Sequence, residues 1–139
     1  MKRNFILLLL VTIVAFVFTA KIHDRSKSVE IVSVYDGDTI FVNIADWPDI
    51  IGKRIGVRLR GIDCPEMNDN RSSINHLAKE ARQFVVDNVA YKEISLENIE
   101  RDKYFRIVAD VYVDGDNLSE LLLKNKLAQE YDGGKKQKW

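Results

Sequence analysis

A phosphate held beside a cation needs hard oxygen donors, planar cationic forks and a base. This sequence carries candidates for each in Asp36, Asp38, Arg58, Asp63, Glu66 and Arg106. Two aspartates from different strands supply oxygen ligands to one Ca²⁺ or Mg²⁺, with backbone carbonyls and waters completing the shell. Two arginines grip a phosphate through charge-assisted, often bidentate hydrogen bonds. A glutamate beside the metal orients or deprotonates a water. Together these parts describe metal-assisted phosphodiester hydrolysis. None is specific alone, because Asp36-Gly37-Asp38-Thr39 by itself reads equally as a simple turn.

The densest part of the set is Val57 to Glu66, with Arg58, Asp63 and Glu66 in ten residues. Alternation over Val57 to Ile62 predicts a strand with Val57, Leu59 and Gly61 on one face and Arg58, Arg60 and Ile62 on the other. Pro65 removes a backbone donor, ends ladder pairing and biases Cys64 toward extended backbone. Upstream, Val29 to Tyr35 and Ile40 to Ile44 are β-rich runs joined by Asp-Gly, a hairpin signal. A loop over Asp46 to Lys53 then leads into the Arg58 strand, so an antiparallel meander is expected.

After a polar loop at 68–73, apolar residues from Ile74 to Val89 recur at helical spacing, with Ser72 or Ser73 as the candidate cap. Strands are expected at Ile94 to Ile99 and Tyr104 to Val113, with a charged turn at Glu100 to Lys103. Asn117 or Asp116 would cap a second helix carrying Leu118, Leu121 and Leu122 inward. Asp132-Gly133-Gly134 then breaks the chain before a basic tail, Lys135-Lys136-Gln137-Lys138, and Trp139. The expected fold is α+β, a small five-stranded OB-type antiparallel barrel with two packed helices.

Met1 to Ala20 pairs a Lys2-Arg3 start with an uncharged apolar run, the pattern of an export signal or an uncleaved N-terminal membrane anchor. Either places the domain outside the cytoplasm, secreted or membrane-attached. Residues 21–28 read as a linker, 29–131 as the folded domain and 132–139 as the basic C-terminal tail. Basic and acidic residues balance at 21 each, and removing Lys2 and Arg3 leaves a domain of about −2. That excludes polyanion binding by bulk charge and requires a local cluster. Cys64 is the one cysteine, so no internal disulfide exists. His23 and His76 stand far apart with no cysteine partners, which argues against zinc.

Three segments carry a resemblance: Val34-Tyr35-Asp36-Gly37-Asp38-Thr39-Ile40, Arg58-Leu59-Arg60-Gly61-Ile62-Asp63-Cys64-Pro65-Glu66 and Asp102-Lys103-Tyr104-Phe105-Arg106. In order and spacing the chain resembles the thermonuclease (micrococcal-nuclease-like) family over Val29 to Tyr131. The resemblance implies Ca²⁺ held by Asp38, Asp63 and the backbone carbonyl of Cys64. It implies Arg58 and Arg106 on the scissile phosphate, Glu66 as general base or water-positioning group, and Tyr104 near the nucleotide as a stacking surface. The implied activity is cleavage of single-stranded or unpaired DNA and RNA at the 5′-oxygen, leaving 3′-phosphates, by a monomer.

Three features depart from the family pattern. The family's longer C-terminal helix is missing, so Trp139 must dock in another way or stay loose. Lys126 stands where members often carry a helix-ending glycine, at a cost of ~1 kcal/mol if the backbone there is left-handed. Asp132 occupies the place of a nucleotide-contacting tyrosine, with neighbouring Tyr131 as the substitute. The competing reading is a non-catalytic OB-fold nucleic-acid-binding module. A degenerate module would have lost an acidic ligand or an arginine, whereas Asp38, Arg58, Asp63, Glu66 and Arg106 are all present. A cysteine hydrolase built on Cys64 finds no histidine nearby in sequence, which leaves Cys64 as a small buried side chain.

Overall fold

β-branched residues at alternate positions put one face of each strand into a shared core. In the computed structural model, which describes residues 29–139, β1 (Val29–Val34), β2 (Thr39–Ile44) and β3 (Ile55–Leu59) form the expected antiparallel meander. Expectations about residues 1–28 fall outside the described residues. Ile40, Val42, Val57 and Leu59 are essentially solvent-free, each contributing about 1.5–3 kcal/mol by burial. The loop at 46–53 contains one helical turn, α1 (Asp49–Gly52).

The alternation expected through Ile62 stops at Leu59. Gly61 adopts φ +80, a left-handed turn that reverses the facing, so Ile62 is buried rather than beside the arginines. A two-residue strand, β4 (Ile62–Asp63), follows. The long amphipathic helix α2 (Ser72–Val89) packs Ala78, Ala81, Val85 and Val89 inward. Neither Ser72 nor Ser73 caps it. Arg71 is the flanking residue, and its own N–H is taken by the Asp69 side chain at 2.9 Å.

β5 (Ile94–Arg101) runs two residues beyond expectation, and β6 begins at Arg106 rather than Tyr104 (Arg106–Val113). The sheet order is β1-β2-β3-β6-β5, with β3 and β6 parallel and the other pairings of that path antiparallel. The OB-type architecture therefore stands, with one parallel seam inside a mixed, curled sheet. Register shifts at Ile31/Ser33 in β1 and Glu97/Glu100 in β5 bend those strands, as bulges do. β1 and β5 are thereby brought against each other.

β7 (Asp116–Asn117) leads directly into α3 (Leu118–Lys124), whose cap is Asn117, accepting from the Glu120 N–H at 3.2 Å. Leu118 and Leu122 are buried as expected, while Leu121 is only half-buried. Ser119 is buried instead, donating to the Arg60 carbonyl at 2.9 Å. The helix closes with Leu127 N–H on Leu122 O and Lys126 N–H on Leu123 O, both at 3.0 Å, around Lys126 at φ +59. That pair of bonds is a Schellman motif, whose left-handed position favours glycine. A last short strand, β8 (Gln129–Glu130), pairs with β4. Among the described residues, no helix is long and apolar enough to cross a membrane.

Candidate active site

The loop between β1 and β2 is held by its own side chain. Asp36 accepts the Asp38 N–H at 3.0 Å, and the Asp38 carbonyl accepts the Leu59 N–H of β3 at 2.8 Å. Gly37 is required here by packing rather than by φ. A Cβ would lie 2.8 Å from both Ala81 Cβ and Cys64 Sγ, so the loop is pressed between α2 and the end of β4. Asp38 is thereby pointed across the sheet end, where Oδ2 accepts the Cys64 N–H at 2.8 Å.

Arg58 ties the two buried aspartates together. One terminal nitrogen pairs with Asp38 Oδ1, and the other reaches Asp63 Oδ1 at 3.3 Å and the Ile62 carbonyl at 3.0 Å. Asp38 is 5% exposed and Asp63 4%, so two carboxylates share one guanidinium in a poorly hydrated place. Buried charges demand compensation, and this cluster is one positive charge short. Asp36 adds to the deficit, although burial pushes its carboxyl above the usual carboxylate range against the pull of Arg58. The Cys64 thiol is pushed up to about 12 by burial and then by Asp36 and Asp63. A thiol protonated at neutral pH is no nucleophile, in line with Cys64 as a packing residue.

Arg106 is delivered differently. It opens β6 opposite Gly56 of β3, where a Cβ would come within 3.3 Å of the Arg106 stem. Its Nε donates to Asp102 Oδ2 at 2.7 Å. Burial alone would raise the Asp102 pKa, but hydrogen bonds from the Lys103 backbone and from Arg106 hold it below the ordinary value. Between them Tyr104 and Phe105 sit at φ +57 and +56, a conformation costing about 1–2 kcal/mol for each non-glycine residue. Two successive left-handed residues cannot join a ladder, which is why β6 starts later than the residue pattern suggests. The turn leaves Tyr104 91% exposed.

Asp36, Asp38, Arg58, Cys64, Glu66, Asp102, Tyr104 and Arg106 line one cleft of about 1190 Å³, and Asp63 is tied to it through Arg58. Glu66 follows Pro65 with its side chain exposed. The β4–β8 pairing brings the last part of the chain into the same cleft. Tyr131 donates its N–H to the Gly61 carbonyl at 2.9 Å, and its ring centroid lies 6.0 Å from the Arg58 guanidinium carbon. Lys136 Nζ sits 2.9 Å from Asp63 Oδ1 and 3.2 Å from Glu66 Oε1, and Trp139 Nε1 donates to Asp63 Oδ2 at 3.4 Å.

The structure thus gathers every residue expected at the site: Asp38, Arg58, Asp63, Cys64 and Glu66 at the strand ends, and Tyr104 and Arg106 across the cleft. Sequence reasoning missed Asp102 as the partner of Arg106, although its four-residue offset was a usable signal. It also assigned the basic tail no place at the site, whereas Lys136 lies on two site carboxylates. Nothing in Lys135-Lys136-Gln137-Lys138 distinguishes Lys136 from its neighbours; the strand pairing does. Among the described residues no three carboxylate, thiol or imidazole side chains form a closed metal cage. Asp38 and Asp63, which converge on Arg58, instead offer oxygen donors of the kind a hard cation takes.

A family profile described as Staphylococcal nuclease homologue matches residues 56–138, more than half of the chain. The chain belongs to the staphylococcal nuclease homologue family. The match begins in β3 and therefore takes in Arg58, Asp63, Glu66 and Arg106, while Asp38 lies before it. Thermonuclease of Staphylococcus hyicus is 30% identical over 107 residues, covering 76% of this chain and 60% of that protein. Endonuclease YncB of Bacillus subtilis is 36% identical over 97 residues, 68% of this chain and 43% of its own. A probable staphylococcal-like nuclease, CAN1 of Oryza sativa subsp. japonica, is 34% identical over 83 residues, 60% and 23% respectively. The chain spans less than two thirds of the length of these curated relatives.

Proposed function

We propose that this chain is an exported, Ca²⁺-dependent nuclease that hydrolyses phosphodiester bonds of single-stranded DNA and RNA to 3′-phosphate products. The observation that carries the reading is the Arg58 fork on both buried aspartates at the end of a cleft that also holds Arg106. Asp38, Asp63 and the Cys64 carbonyl would hold the cation. When bound, Ca²⁺ supplies positive charge to the phosphate oxygens and to a nearby water.

This chain's own residues do the rest. Arg106, aimed by Asp102, binds a phosphate oxygen and stabilises the negative charge that builds as water attacks phosphorus. Arg58, whose two terminal nitrogens hold Asp38 and Asp63, adds positive charge beside the same phosphate. Glu66, exposed beside Asp63, accepts the proton of the attacking water. A new P–O bond forms, the bond to the 5′-oxygen breaks, and that oxygen leaves with a solvent proton. Tyr104 offers a ring on which an unpaired base stacks, which suits single strands better than duplex.

The test is incubation of the protein with single-stranded DNA in Ca²⁺ or in excess chelator. Cleavage to 3′-phosphate ends with Ca²⁺ only is expected. Full activity in chelator overturns the metal assignment, and binding without cleavage leaves a nucleic-acid-binding module. Export rests on residues 1–20, and an intact N-terminus in the soluble cytoplasmic fraction would overturn it.

A further inference from the structure

The basic segment after β8 does more than trail across the surface. Both of its ends are tied down: Tyr131 Oη donates to the Gly134 carbonyl at 3.1 Å, and Arg71 donates to the Trp139 carbonyl at 2.8 Å. Arg71 is itself fixed by Asp69 at 2.7 and 3.0 Å. Between these anchors Lys136 spans Asp63 and Glu66, while Trp139 takes the other Asp63 oxygen. Asp63 therefore has one oxygen shared by Arg58 and Lys136 and the second bonded to the indole.

We propose that Lys136–Trp139 is a latch that closes the cation cage when no cation is bound, with the Lys136 ammonium standing where a divalent ion's charge is needed. The inference rests on the cation site proposed above. Its physical basis is charge: Asp38 and Asp63 are nine-tenths buried, Arg58 supplies one positive charge between them, and Lys136 brings a second to Asp63. The latch is weak by construction. The Lys136 side chain is 48% exposed and the indole bond is long at 3.4 Å. A solvated single charge on a flexible stem then competes poorly with a dipositive ion for the same carboxylates. Cation binding expels Lys136 and Trp139, opens the cleft beside Glu66 and frees that carboxylate from its ion pair. Apparent cation affinity is lowered by the fraction of molecules that are latched.

Calorimetric Ca²⁺ titration of the full chain tests this, run beside Lys136→Met, Lys135→Met and a Trp47→Phe background that leaves Trp139 as the indole reporter. Lys136→Met is expected to tighten Ca²⁺ binding roughly three- to tenfold. Lys135→Met should leave it unchanged, and Trp139 emission should move with the midpoint of the heat signal. Equal affinity in wild type and Lys136→Met, with flat Trp139 emission, overturns the latch and leaves the cation site standing. Equal tightening by Lys135→Met reduces the effect to net charge and also overturns it. No Ca²⁺ binding by any variant overturns the cation site and the latch together.

Discussion

Arg58 and Arg106 face the same cleft, yet they are held by different physics. Arg58 rises from β3 with its side chain 14% exposed, bonded to Asp38, Asp63 and the Ile62 carbonyl, all on elements fixed by the core. Arg106 is 30% exposed and rests on Asp102 alone among the described carboxylates that pair with it, at a turn built from two left-handed residues. The first arginine is part of the fold's electrostatic balance, and removing it strands two buried carboxylates. The second is an appendage of the fold, set in place by local turn chemistry. One site thus has an arginine built into the buried charge balance of the fold and another held by a single local ion pair.

The sharpest way to break that contrast is a matched pair of substitutions. Arg106→Lys keeps charge but loses the fork, and should cut turnover by about 10²–10³-fold with little change in melting temperature. Arg58→Lys should cut turnover comparably and also destabilise the domain, by about 2–3 kcal/mol, as its buried partners lose hydrogen bonds. Denaturant melts beside initial rates decide it, and equal stability losses would erase the distinction.

Glu66→Gln probes the exposed side of the cage. It keeps size and hydrogen bonding but removes basicity, so single-turnover cleavage should fall at least about a hundredfold, with folding unaffected. Unchanged cleavage with a weakened fold would move Glu66 to the structural side of the comparison.

Lys126→Gly is a smaller effect, at a residue that does not line the cleft. Relieving the left-handed residue of the Schellman motif should stabilise the domain by about 1 kcal/mol without changing the rate. Loss of stability would show that the lysine side chain contributes more there than its backbone costs.

The smallest effect concerns the loop before α2. The Asp69 carboxyl is held down to about 2, first by the Arg71 side chain, against an ordinary 3.8. A depressed carboxylate contributes stability that is present above its ordinary pKa and disappears as pH falls through the folded value. The melting-temperature gap between wild type and Asp69→Asn should therefore be constant above about pH 5 and close between about pH 4 and pH 2. A gap that persists at pH 2 would show that the pair does not act through charge.

The α+β barrel, its meander, both helices and the polar residues that gather at the cleft were legible because each leaves a local trace. Alternation marks a buried strand face, a 3.6-residue period marks a helix, and Asp, Arg and Glu announce what they can bind. Asn117 as a cap and Lys126 as a strained helix end are local in the same sense, being set by a few neighbouring residues. Boundaries failed where backbone conformation ran against residue preference. Tyr104 and Phe105 read as strand residues but lie left-handed, and Gly61 turned a continuous alternation into two separate strands.

Tertiary structure alone decided the relations between distant segments. The parallel seam of β3 with β6 places Arg58 and Arg106 in one cleft, though 50 positions separate Arg58 from its strand partner Val108. The two-residue pairing of β4 with β8 carries a nondescript lysine onto Asp63, 73 residues away in the chain. Such contacts arise because buried backbone groups must find partners and buried carboxylates must find charge. Those demands are met by whatever the completed fold brings near, and a local pattern of residues has no means of recording that.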